Sequence, residues 1–346
     1  MGKNKVTIQD IARLAGVSKS TVSRYLNQGY ISEEKAERIR RVIHETGFQS
    51  NFFAKRLKTK RSSLIGLVIP RMDSVSVGKL LAGVSYILEP AGYQAIMLVS
   101  QLREEKELEN IKSLYQQGVD GIIVDSVGIT PRHIELQGEL PIPLLYTGQR
   151  HPKVDCVKVN DEAAGRLMGA YLRQMGHKRA VFAGVTKRDV AVGVERPKGF
   201  QDAFLEGRAL SEEARVDFLE TGFGFLEAYH LAEDMLELNP SVIVGATDNI
   251  CLGILRYLHE REIRVPEEIS VAGFGGYDVG AVVYPALTTV AFDFELVGMK
   301  VAQRMLDTIS GEPTEEDGEL PFFFVERESV RKIDGEPLRQ TLLGMT

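Results

Sequence analysis

Apolar positions change their rhythm along the chain. Through the first 50 residues they recur at helical spacing: Ile8, Ile11, Ala12 and Ala15, then Val22 and Leu26, then Ala36, Ile39, Val42 and Ile43. Polar residues punctuate that rhythm. Thr7-Ile8-Gln9-Asp10 sets an N-cap hydroxyl three residues before an acid, Gly16 breaks the first helix, and Ser18 caps the second. Ser32 is expected to cap a third helix over 33–45 that closes a three-helix core. Two short helices joined by a glycine turn predict a helix-turn-helix, whose second helix enters the DNA major groove. Residues 51–61 then form a short basic stretch with Phe52, Phe53 and Leu57 set among cations.

From Ser62 onward, short apolar runs alternate with helical spacing. The runs at 64–70, 95–99, 119–124 and 142–146 read as buried parallel strands, with helices expected over 80–88 and 104–117. A second round follows, with helices over 163–175, 196–204, 225–238 and 249–261 between strands at 180–184, 241–245 and 269–274. After Thr288-Thr289-Val290 a helix is expected over 295–309 and a last strand over 322–326. Such alternation implies two doubly wound parallel sheets.

Charge sharpens this division. The net charge of the 346 residues is −6, which alone argues against nucleic acid. Residues 1–61 hold 14 basic and 5 acidic residues, a net of +9, and the remaining 28 basic and 43 acidic residues leave −15. A cationic end on an anionic body is the footprint of DNA binding confined to one end. On the second helix Lys19, Ser20, Ser23 and Arg24 face outward, types suited to base edges and phosphates. Leu57 is expected to wedge into a minor-groove step, in a segment that folds only on DNA.

Thr7-Ile8-Gln9-Asp10-Ile11-Ala12, Ala15-Gly16-Val17-Ser18, Thr21-Val22-Ser23-Arg24 and Asn51 to Leu57 together resemble the headpiece and hinge of the LacI/GalR repressors, and the resemblance runs over nearly all of the chain. It implies an all-α helix-turn-helix headpiece plus hinge helix, followed by an α/β bilobed core like that of periplasmic binding proteins. The implied domains are 1–50 for the headpiece and 51–61 for the hinge. An N-terminal lobe would take 62–160 plus 291–322, a C-terminal lobe 161–290 plus 323–335, and 336–346 would form a tail. The implied DNA-binding residues are Thr7, Lys19, Ser20, Thr21, Ser23, Arg24, Asn27, Tyr30, Asn51, Ala54, Lys55, Leu57 and Lys58.

Open parallel sheets bind ligands beyond the carboxyl ends of their strands. The residues following each strand therefore nominate a cleft: Arg71, Asp73, Ser74, Asp125, Gln149, Asp189, Arg196, Phe223, Asp248, Tyr277 and Asp278. Carboxylates and amides suit sugar hydroxyls, and an aromatic face suits sugar C–H groups. Arg196 matches the family's Arg-x-x-Gly pattern in Arg196-Pro197-Lys198-Gly199, Phe223 its stacking aromatic, and Asp248 its Thr-Asp pair. Asp189-Val190-Ala191-Val192-Gly193 with Arg71-Met72-Asp73-Ser74 resembles the sucrose-operon and trehalose-operon branches. In the latter, the first-strand arginine is associated with a sugar phosphate, which a guanidinium fork fits. The effector expected is sucrose or its 6-phosphate, with trehalose 6-phosphate or another sugar as the alternative. A rival reading pairs Arg71 with Asp73 or Asp278, away from any ligand.

Three positions depart from the family. Gly275-Gly276 replaces the usual aspartate, so its contact falls to Tyr277 or Asp278 or is missing. Tyr25 replaces a small aliphatic residue, and Ser50 replaces the proline before the hinge, which loosens the hinge entry.

Other classes fare worse. His44, His133, His151, His177, His230 and His259 form no His-Glu-x-x-His or Ser-His-Asp grouping, and Gly273-Phe274-Gly275-Gly276 lacks dinucleotide-fingerprint spacing. No catalytic residue, cofactor or metal is expected. Cys156 and Cys251 read as core residues. A solute-binding protein would share the bilobed body but carry a leader and no helix-turn-helix. No apolar run reaches membrane length, so the cytoplasm is the expected location. The tail from Arg331 is too short for sustained heptads, which favours a homodimer over a tetramer. The expected partners are double-stranded operator DNA, a small sugar or sugar phosphate, and a second copy of the chain.

Overall fold

The computed structural model describes residues 6–26, 29–48, 61–207, 214–313 and 320–333. The chain divides into two compact units, Met1–Ser63 and Leu64–Thr346. The expected hinge apart from Arg61, together with Asn27 and the tail beyond Ile333, lies outside the described residues.

Among its described residues the first unit contains three helices, α1 (Ile8–Ala15), α2 (Lys19–Leu26) and α3 (Glu33–Thr46). Thr7 and Asp10 form a reciprocal capping box: the Asp10 amide donates to Thr7 Oγ1 at 3.3 Å, and the Thr7 amide to Asp10 Oδ2 at 3.0 Å. Gly16 ends α1 at φ +63°, a left-handed conformation that glycine adopts without Cβ strain. Ser18 caps α2 through the Thr21 amide at 3.2 Å. Ser32 stands at the N-cap of α3, but its hydroxyl makes no capping bond, contrary to the sequence expectation. Ile11, Val22 and Ile39 are fully buried, and Tyr25, Leu26 and Ile43 close over them. Tyr25 is thus a core residue whose phenol accepts a hydrogen bond from the Arg40 guanidinium.

The second unit holds two sheets. The first comprises β1 (Leu64–Ile69), β2 (Gln94–Val99), β3 (Gly121–Asp125), β4 (Leu144–Thr147) and β5 (Cys156–Val157), in the order β2-β1-β3-β4-β5 and parallel throughout. Helices α4 (Val75–Leu88), α5 (Glu104–Gln116) and α6 (Pro131–Glu139) connect its strands. The chain then passes through α7 (Asp161–Gln174), β6 (Arg179–Gly184), a π-helical turn (Ala191–Glu195), α8 (Arg196–Phe204) and β7 (Arg215–Glu220). Next come α9 (Phe225–His230), α10 (Ala232–Glu237), β8 (Val242–Gly245), α11 (Asp248–Glu260), β9 (Ser270–Gly275) and α12 (Val279–Val282). The last elements are β10 (Thr288–Phe292), α13 (Phe294–Ser310) and β11 (Phe322–Val325). The second sheet runs β11-β10-β9-β8-β6-β7, with only β11 antiparallel.

Both sheets place their first strand between the second and third, so each has a switch point where consecutive connections leave in opposite directions. After β10 the chain returns to the first sheet, where α13 packs against α4, and β11 pairs back with β10. Ala291, Phe292 and Phe322 belong to the second sheet, although the expected lobe limits put them in the first. The expected helix over 225–238 is two short helices parted by a turn at Leu231, where φ is −95° and ψ 0°. The sequence reading missed α6, β5, β7 and α12. β5 has two residues, α12 four, and β7 is a half-exposed strand ending the sheet, so none carries a long apolar signal.

Gly165, Gly169 and Gly199 let α7 and α8 touch backbone to backbone. A Cβ at Gly165 would lie 2.1 Å from the Arg196 carbonyl oxygen, and one at Gly199 2.0 Å from that of Glu162. Gly83 and Gly298 do the same for α4 and α13.

Candidate nucleic-acid interface and ligand cleft

On α2 the side chains of Lys19, Ser20 and Arg24 are exposed and those of Thr21 and Ser23 half-buried. Ser18 Oγ holds Ser20 Oγ at 2.7 Å and Thr21 Oγ1 at 2.8 Å, a hydroxyl cluster at the first turn of the helix. Tyr30 stands free at 92% exposure. Thr7 is exposed, with its hydroxyl donating to Asp10 Oδ2. Asn27, Asn51, Ala54, Lys55, Leu57 and Lys58 lie outside the described residues.

In the second unit the carboxyl ends of the two sheets face one cavity of about 990 Å³, counted out to its open mouth. Arg71, Ser74, Asp125, Gln149, Asp189, Arg196, Phe223 and Tyr277 line it. The remaining three nominated residues do not. Asp73 points out to solvent and pairs with Arg71 at 3.3 Å, and Asp278 is 94% exposed and pairs with Lys79 at 3.5 Å. Asp248 is fully buried behind the wall. Its Oδ1 accepts from Thr289 Oγ1 at 2.7 Å and its Oδ2 from the Tyr277 amide at 2.8 Å, so it anchors the loop after β9 instead of reaching the cavity.

That loop explains the double glycine. Gly275 and Gly276 have φ of +135° and +67°, and a Cβ on Gly276 would lie 2.3 Å from the Ala291 Cβ. The turn swings the Tyr277 ring into the cavity wall, where it hydrogen-bonds Ser76 from the opposite lobe. Between the two residues left open by the sequence, Tyr277 reaches the cavity and Asp278 does not.

Arg196 is the most constrained cation. Its Nε donates to Asp161 Oδ1 at 3.1 Å, its two terminal nitrogens bond Asp161 and the Ala246 carbonyl, and its Cζ lies 5.1 Å and 4.9 Å from the ring centres of Phe274 and Phe292. The glycine contact between α7 and α8 sets this pair, because Asp161 and Arg196 open those two helices. Opposite, Arg71 lies 4.9 Å from the ring centre of Phe223 and keeps its pairing to exposed Asp73. The contact named by the rival reading exists, and Arg71 lines the cavity as well.

Gln149 ties the lobes together. Its Nε2 donates to Asp189 Oδ1 at 2.9 Å, and its Oε1 accepts from the Ala191 amide at 3.1 Å. Withdrawal from water pushes the Asp189 carboxyl up to about 6. The same cause, with the Asp189 and Glu107 charges added, pushes Asp125 up to about 8. Thr147 and Thr247 also line the cavity, and their buried hydroxyls find no partner among the described residues.

Several wall residues escaped the sequence reading. Asp161 and Lys158 lie outside the strand ends that it searched. Phe274, Phe292 and Phe294 read as strand or helix core, with no signal separating a wall aromatic from a buried one. Among the described residues no helix is long and apolar enough to cross a membrane.

Residues 7–51 match the family described as bacterial regulatory proteins, lacI family, and residues 170–330 match the periplasmic binding protein-like domain. The sucrose operon repressor of Staphylococcus xylosus is 35% identical over 311 residues, covering 89% of this chain and 95% of that protein. The transcriptional regulator TreR of Salmonella typhimurium is 27% identical, covering 89% and 95%. Among solved structures, the lac repressor dimer bound to operator and the anti-inducer ONPF aligns with a TM-score of 0.83 at 23% identity, covering 95% of this chain and all of that one. The complex of the regulator CelR with cellobiose aligns at 0.69 with 27% identity, covering 94% and 99%.

Proposed function

This chain belongs to the lacI family of bacterial regulatory proteins, and from that premise we propose that it is a sugar-responsive transcriptional repressor of a sugar-utilisation operon. It binds operator DNA as a homodimer in the cytoplasm, and its chemistry is binding, without turnover. Two headpieces read the half-sites of a pseudo-palindrome, so operator symmetry mirrors the dyad of the protein. Lys19, Ser20, Thr21, Ser23, Arg24, Asn27 and Tyr30 are the proposed groove and phosphate contacts, with Thr7 at the head of α1. Asn51, Ala54, Lys55 and Lys58 grip the hinge site, and Leu57 opens its central step.

The effector is a disaccharide, sucrose or sucrose 6-phosphate, with trehalose 6-phosphate as the alternative. The observation that carries this reading is the cleft: a clamped arginine, two aromatic walls, amide and carboxyl groups from both lobes, and two threonine hydroxyls without a partner among the described residues, round one open cavity. Ligand held by both lobes favours the closed form, and that difference in affinity shifts the DNA equilibrium.

The test is fluorescence anisotropy on a DNA site selected from a randomised pool, titrated with sucrose, sucrose 6-phosphate and trehalose 6-phosphate. A palindromic site released by one of these sugars at micromolar to millimolar concentration is the expected result. A pool that yields no symmetric site, or complexes indifferent to every sugar, overturns the reading.

A further inference from the structure

The cations and carboxylates of the cleft do not balance pairwise. Arg196 is bound to Asp161, Lys158 to Glu195 and Arg71 to Asp73. Among the described residues these are the three cations that line the cavity, and each is committed. Asp125 and Asp189 also line it, one from each lobe, and neither has an ion pair among the described residues.

Behind Asp125 sits a third carboxylate. Glu107 of α5 is 2% exposed, and its Oε1 accepts from Ser126 Oγ at 2.7 Å and His133 Nε2 at 2.9 Å. The Thr130 amide and hydroxyl lie 3.2 Å and 2.9 Å from His133 Nδ1. Tyr146 of β4, edge-on to His133, is the other titratable group beside Glu107. On the loop of Asp189, Lys187 and Arg188 are exposed, and Arg196 reaches Asp189 only as the least of its influences.

We propose that Asp125 and Asp189 hold one proton between them across the cleft at neutral pH, so that Asp125 donates a hydrogen bond to an acceptor oxygen of the ligand. Asp189 is the better acceptor of the two, since Gln149 Nε2 and the Val192 amide at 3.0 Å already donate to its Oδ1 and favour its charged form. Asp125 receives no such donation from any described residue and faces two like charges. The proton therefore resides on Asp125, comes from solvent, and forms one O–H bond with no other change. Asp125 becomes a specificity-determining donor aimed at a ring or glycosidic oxygen, where an ionised aspartate would repel the lone pairs.

The ligand half of this proposal rests on reading the cleft as the sugar site; the proton half does not. Infrared difference spectra of the full-length, ligand-free protein between pH 6 and 9 test the proton directly. The expected result is loss of one protonated-carboxyl band with a midpoint near 8, absent in Asp125→Asn and shifted to lower pH in Glu107→Gln. No such band above pH 6, or an unchanged band in Asp125→Asn, overturns the proposal. Calorimetry with sucrose then tests the donor role. Affinity should fall up to about tenfold per pH unit above the midpoint, as one-proton linkage requires, and lose that slope in Asp125→Asn. A pH-independent affinity in the intact protein overturns the donor role. If sucrose fails to bind at any pH, the choice of effector fails, while the ligand-free band still decides the proton.

Discussion

On the second-lobe wall of the cleft, Arg196 is fixed from every side, by Asp161, the Ala246 carbonyl and two phenylalanine rings. On the first-lobe wall, Arg71 is held by one ring and one aspartate that is 79% exposed. The same residue type therefore plays two different roles. A guanidinium whose donors are already directed needs no reorganisation to meet a ligand, and its position is built during folding. One paired with a solvated carboxylate can exchange that partner for a ligand anion at little cost, because an exposed ion pair contributes roughly 0–1 kcal/mol. On the proposed reading, the fixed wall sets the pose and the adaptable wall the preference.

Removing the fixed arginine breaks the comparison most severely. Arg196→Met leaves Asp161 buried without its cation, and such losses run to about 3–5 kcal/mol. Thermal unfolding should show a fall in Tm of roughly 10 °C, together with loss of every sugar response. Asp161→Leu in the same chain should restore part of the stability but none of the response. A stable single variant would mean that the pair is not desolvated as its 5% and 3% exposures state.

A smaller effect separates stability from pose. Gly165→Ala drives a methyl toward the Arg196 carbonyl 2.1 Å away, and Gly169→Ala drives one toward the Phe200 carbonyl at 2.3 Å. Overpacking of this kind costs about 1–3 kcal/mol at either position. Only the first displaces Arg196, so chemical denaturation should rank the two alike while sugar affinity falls more in Gly165→Ala. Equal losses of affinity would show that the clamp is set by the whole lobe and not by the helix opening.

The two walls were also unequally legible in the sequence. Strand ends pointed to Arg196, Gln149 and Asp189, which do line the cavity, because a parallel sheet must send those positions to one side. They also named Asp73, Asp248 and Asp278, which share the chemistry but turn elsewhere: two toward lysine or arginine in solvent, one into the loop that it braces. Direction after a strand depends on one or two turn residues, as Gly275-Gly276 shows by sending Tyr277 inward and Asp278 outward. Apolar rhythm carries no such information. Asp161 was hidden for another reason, since its role exists only where two glycine-packed helices begin side by side. The headpiece was clearer, because caps, breaker and core spacing there are local.

The smallest expected effect belongs to Arg71. With its side chain 19% exposed and its partner Asp73 in solvent, Arg71→Ala should leave stability within about 0.5 kcal/mol of the intact protein. Its consequence lies in discrimination. A guanidinium meets a phosphate dianion with two charge-assisted hydrogen bonds, each about twice as strong as a neutral one, whereas a free hydroxyl in that place gains far less. Titration with sucrose and sucrose 6-phosphate should show the phosphorylated sugar weakened by about tenfold or more and the neutral sugar changed by less than about threefold, with Arg71→Lys intermediate. Equal weakening of both would place Arg71 against the sugar ring through Phe223, making the first-lobe wall a second fixed surface. An unchanged affinity for both would leave Asp73 as its permanent partner.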